Sequence, residues 1–151
     1  MINPEDIFDL FDGESPDLTP DQKFDDKYVN FDRGRMLGSL VIRKVSDLID
    51  AYTSFDKLGS PEMQAKAKNK ALGIYNKLLV SYLKRANHPD CIKGLAYEDA
   101  KPLSNILDTL TKHFERKEDY QTCTYLTKLK QDILYEDLTR EFWLKEYEPL
   151  Q

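Results

Sequence analysis

Cysteine and histidine are nearly missing from this chain: Cys91, Cys123, His88 and His113 are the only ones in 151 residues. Two cysteines cannot build a disulfide framework. No C-x-x-C pair or second cluster completes a zinc site around Asn87-His88-Pro89-Asp90-Cys91, so the sequence assigns no metal and no cofactor. Glycine is scarce too, with six residues, and none belongs to a phosphate-cradling loop or a G-x-S-x-G elbow. His88 with Asp90 is the one local pair that would serve a nucleophile, and nothing marks a nucleophile for it. The expectation is a protein with no catalytic residues and no small-molecule substrate. No apolar run approaches the roughly 18 residues of a spanning helix, and the opening MINPEDIFDLF is acidic where a signal peptide is basic. A cytoplasmic protein without membrane contact is expected. No stretch alternates with period two, so no sheet is predicted.

What is present is charge, and it is segregated. Residues 1–33 carry ten acids against Lys23, Lys27 and Arg33, residues 34–93 eleven bases against five acids, and residues 94–151 twelve acids against eight bases. Acidic and basic blocks in one chain suggest docking within the molecule or between copies. With 40% hydrophobic residues the chain still has enough apolar side chain for one core.

The fold class predicted is all-α: two antiparallel helical hairpins and a C-terminal helix, preceded by an extended acidic arm over residues 1–33. Within the arm, Pro4, Pro16 and Pro20 interrupt any period, leaving one short helix at 4–11. The helical domain, 34–151, opens with a hairpin over 35–86. Its first helix places Leu37, Val41, Val45, Leu48, Tyr52 and Phe55 on one face, and its second places Met63, Ala67, Ala71, Ile74, Tyr75, Leu78 and Tyr82. Between them Gly59 suits a left-handed cap, Ser60 an N-cap and Pro61 the first helical position. Pro89 and Gly94 predict a break over 87–98, with Asp99 capping the next helix. A second hairpin spans 99–135, turning at Glu115–Asp119, and a terminal helix covers 136–148 with Leu138, Phe142, Trp143 and Tyr147 packed on the core.

Two regions carry the functional expectations. Glu5-Asp6-Ile7-Phe8-Asp9-Leu10-Phe11-Asp12 alternates large apolar groups with carboxylates, as docking motifs do: apolar anchors fill a groove and acids steer toward a basic rim. Its anchors are Ile7, Phe8, Leu10 and Phe11, and Phe142, Trp143 and Tyr147 are a second candidate partner site. The basic face of the second helix, Lys66, Lys70, Lys77 and Lys84 with Arg85, would track phosphates or receive the acidic arm. A protein partner or a second copy is expected ahead of nucleic acid.

Three resemblances bear on this. Asp9-Leu10-Phe11 resembles the end of the peptide that docks on bacterial sliding clamps, with Ile7 where that peptide has glutamine. Leu110, Phe114, Glu118, Asp119, Tyr120, Cys123, Leu126 and Leu129 make residues 101–135 resemble a UVR or tetratricopeptide-type helical hairpin, which implies protein docking. Asp26-x-Tyr28, Arg33, Arg35, Ser60-Pro61 and Asn76-Lys77-Leu78-Leu79 make residues 25–86 resemble the core of the T4-type phage small terminase. That resemblance implies an oligomeric DNA-packaging subunit, a phage origin, and residence in host cytoplasm or virion. The expectation overall is a non-enzymatic adaptor or assembly protein, with the packaging subunit as the alternative.

Overall fold

The computed structural model describes residues 20–147, with side chains from residue 26 onward. The fold is all-α, and no strand occurs among the described residues. Four long helices, α1 (Pro20–Phe55), α2 (Pro61–Leu83), α3 (Pro89–Arg116) and α4 (Tyr120–Leu138), are followed by a short α5 (Arg140–Trp143) and a 3₁₀ turn at Leu144–Glu146. The short helix expected at 4–11 lies outside the described residues.

The two hairpin turns form by different local chemistry. At the first, Ser60 accepts the Met63 N–H at 3.1 Å with Pro61 opening α2, as its sequence predicts. Gly59, however, does not adopt the left-handed conformation expected of it. The chain leaves α1 at Phe55 through tight turns, and the Gln64 amide donates to the Asp56 and Leu58 carbonyls at 3.3 and 2.8 Å, satisfying them from the far side of the turn. At the second turn Glu118 takes a left-handed φ of 60°, and the Asp119 N–H reaches back to the Phe114 carbonyl at 2.9 Å. Asp119 then caps α4 through the Thr122 N–H and hydroxyl at 3.2 and 2.7 Å. Those bonds hold the Asp119 carboxyl below its ordinary range.

The boundaries expected at 33 and 87–98 are corrected. Residues 20–33 are helical and continuous with the rest of α1. Phe31 is buried against Trp143 and Tyr147, a partner too distant in sequence for any local period to reveal. Residues 89–98 are likewise helical, beginning at Pro89 after the His88 cap, and the only non-helical backbone inside α3 is at Asp99. Pro102 explains that kink, since it lacks an N–H and its ring crowds the carbonyl four residues back. Gly94 is not a breaker but a crossing point. A Cβ there would lie 2.1 Å from the Phe31 carbonyl oxygen, and one at Gly34 would lie 2.0 Å from that of Cys91, so both glycines let α1 and α3 meet backbone to backbone. The second hairpin therefore runs from Pro89 to Leu138 rather than 99–135, and the terminal helix shrinks to α5 and the 3₁₀ turn.

The core gathers Leu37 and Val41 of α1, Leu79 and Leu83 of α2, Leu95, Leu103, Leu107 and Leu110 of α3, and Leu126, Leu129 and Ile133 of α4. The Tyr125 hydroxyl closes α2 from α4 by donating to the Leu83 carbonyl at 2.8 Å. Met63 and Ile74, expected in the core, are exposed, and Leu79, Val80 and Leu83 replace them. The distal half of the first hairpin stands clear of this core: no residue from Pro61 to Lys70 is buried, nor any in α1 after Leu48.

Candidate functional site

The His88–Asp90–Cys91 segment is structural. His88 Nδ1 accepts the Asp90 N–H at 3.1 Å, capping α3, and the Tyr147 hydroxyl hydrogen-bonds the Asp90 carboxylate. Cys91 is buried, and burial pushes its thiol up to about 11, with the nearby Arg33 charge offsetting only part of the shift. Cys123 lies 3.4 Å from the Thr111 carbonyl, an interhelical contact within the second hairpin. No group of three metal-ligating side chains occurs among the described residues.

The C-terminal aromatics divide. Trp143 and Tyr147, expected at a partner site, are 4% and 3% exposed and belong to an internal clamp. Tyr147 stacks on Phe31 with centroids 4.1 Å apart, Trp143 meets both rings edge-on, and its indole N–H donates to the Glu136 carbonyl at 2.8 Å. Arg35 and Arg140 lie over Tyr97 at 4.9 and 4.7 Å, and Arg35 also pairs with Glu98 at 2.9 Å. Lys27 pairs with Glu146 and holds its carboxyl below the usual range. The early arginines of the terminase resemblance are thus engaged here: Arg33 is buried and Arg35 is stacked.

Phe142 faces the other way and is 84% exposed, as Leu138 is at 82%. With Leu134 and Tyr135, also exposed, they put four large apolar side chains at the surface within nine residues. On α4 they extend a line of exposed, uncharged residues, Tyr120, Thr124, Thr127 and Gln131, at helical spacings of three and four. The charges of α4, including Lys128, Lys130, Asp132 and Asp137, fall to either side of that line. Sequence reasoning missed this face because Tyr120 and Leu138 were counted as core.

The second surface is the lysine row of α2. Lys66, Lys70, Lys77 and Lys84 are all exposed and fall within about 40° of one line along the helix. None of the four forms an ion pair among the described residues, although Lys84 lies close enough to Asp119 to favour its ionised form. Arg85 lies beyond the end of α2, is partly buried and leaves the row. Lys68 points elsewhere, pairing with Asp56 beside the Tyr52 ring. Ile7, Phe8, Leu10 and Phe11 lie outside the described residues.

Among the described residues no helix is long and apolar enough to cross a membrane. Comparison with protein-family profiles, with curated proteins and with solved structures returned no match, so the two surfaces stand on their own geometry.

Proposed function

We propose that this chain is a non-enzymatic interaction protein, an adaptor or assembly subunit, that meets a protein partner or a second copy of itself through the α4–α5 face. One observation carries the reading: Leu134, Tyr135, Leu138 and Phe142 are exposed together on an uncharged surface. Single exposed apolar residues need no explanation, but a cluster of four with a polar surround is what a docking surface looks like before it is covered. The aromatic clamp beneath supports the reading, because it fixes the α4–α5 junction and removes the ordering cost a loose tail would incur on binding. Phe142 is retained from the partner site that the sequence suggests, while Trp143 and Tyr147 hold it in place.

The test is affinity capture from cells that make the protein, with wild-type chain beside a Leu138→Asp/Phe142→Asp variant. The reading predicts a co-purifying protein, foreign or self, retained by the wild type and lost by the variant at unchanged helical content. A captured set that does not differ between the two contradicts it.

The alternative, a DNA-contacting assembly subunit with a phage origin, draws on the lysine row. It predicts duplex binding that weakens steeply with salt and disappears when Lys66, Lys70, Lys77 and Lys84 become Glu.

A further inference from the structure

The lysine row has a definite repeat. Lys70, Lys77 and Lys84 are each seven residues apart, about 10.5 Å along the helix. Gly73 lies in the same line, and a Cβ there would meet no atom within 4 Å, so the backbone between Lys70 and Lys77 is open to close approach. Ile74, beside the row, is 57% exposed. A ligand that fits this face needs anionic groups about 10 Å apart and an apolar group alongside. Nucleic acid meets the first requirement only.

This chain contains a segment that meets both. The nineteen residues before α1 carry six acids and no Lys or Arg. Asp6, Asp9 and Asp12 recur every three residues, about 9.3 Å apart in an extended chain with three residues per turn, where all three share one face. In that conformation Phe8 and Phe11 share a second face and Ile7 and Leu10 a third. The segment is also tethered within reach. The antiparallel register that sets Lys68 over Tyr52 puts Lys84 at about the level of Met36, roughly 24 Å along the axis from Pro20. The eight-residue link from Asp12 to Pro20 spans up to about 27 Å.

We propose that residues 5–12 dock on the α2 lysine row of their own chain, Asp12 at Lys84, Asp9 at Lys77 and Asp6 at Lys70, with the apolar anchors against Ile74 and the open backbone at Gly73. The tether gives the segment an effective concentration in the millimolar range, so individually weak pairs suffice. The arm is then a strap that masks the basic face, and its release exposes that face. This inference is independent of the α4–α5 surface.

The experiment is zero-length carbodiimide cross-linking of the full chain, which joins carboxylates to lysines in contact, followed by mass spectrometry on a mixture of unlabelled and isotope-labelled copies. The strap predicts cross-links from Asp6, Asp9 or Asp12 to Lys70, Lys77 or Lys84 within single copies. They should disappear at about 1 M salt, where the Debye length is about 3 Å, and in Lys70→Glu/Lys77→Glu/Lys84→Glu. Adding Asp6→Lys/Asp9→Lys/Asp12→Lys to that variant should restore them with the two chemistries exchanged. Mixed-isotope pairs would assign the occupant to a second copy, and absent pairs, or pairs that survive the lysine reversal, would leave the row without the arm; each overturns the proposal. So would duplex DNA binding by the full chain that is unchanged by Asp6→Asn/Asp9→Asn/Asp12→Asn, since a masked face must gain affinity when the mask is neutralised.

Discussion

Gly34 and Gly94 set how closely α1 and α3 approach, and each would put a Cβ about 2 Å from a backbone carbonyl that cannot move aside. Gly34→Ala is expected to cost about 3 kcal/mol or more in urea unfolding; a loss under about 1 kcal/mol would mean the helices separate freely. Glu118 is the converse case, holding a φ of 60° that glycine adopts without penalty, so Glu118→Gly should raise stability by about 1 kcal/mol in the same assay. Ionisation adds a pH signature. Burial pushes the Tyr125 hydroxyl up to about 12, and burial with the Asp90 carboxylate pushes Tyr147 further above the ordinary 10. The folded state holds these protons more tightly than the unfolded chain, so stability is intact below about pH 10 and falls as pH rises toward the folded values. Urea midpoints from about pH 9 to about pH 11 should therefore decline, and less steeply in Tyr147→Phe. None of the close approaches was legible in the sequence. A glycine in a helix reads as a breaker until the element it crosses is known.

Among the elements, what local chemistry determines was readable and what distant partners determine was not. The Ser60-Pro61 start, the Asp119 turn and the apolar face of Leu103, Leu107, Leu110 and Phe114 lie within a few residues of their causes, and the structure has them as expected. The helicity of residues 20–33 and the split between Trp143 and Phe142 depend on a contact spanning more than a hundred residues, and no period announces it. That contact yields a contrast between neighbours. Trp143→Ala should lose about 3–5 kcal/mol, the range for emptying a buried aromatic site. Phe142→Ala should stay within about 0.5 kcal/mol of wild type. Equal losses would mean that α5 packs both rings.

Across the whole molecule, stability is unevenly distributed. α3 and α4 carry a dense leucine core, while α2 before Ala71 and α1 after Leu48 bury nothing further. Hydrogen exchange should find the amides of residues 50–70 opening at much lower free energy than those of Leu107 and Leu129, and uniform protection would contradict this division. The candidate sites follow the same pattern: the charge blocks that suggest docking are plain in the sequence, but which apolar residues face solvent depends on packing. Leu138 looks like core by spacing and is at the surface because α4 outruns the helices it packs against.

The most direct test of the account is a photoreactive benzoylphenylalanine at position 142, illuminated in cells that make the protein, beside the same group at Lys128 on the charged flank of α4. The account predicts a discrete covalent adduct with a protein partner or second copy at 142 and none at 128. No adduct at 142, or the same adducts at both positions, would contradict docking through the α4–α5 face.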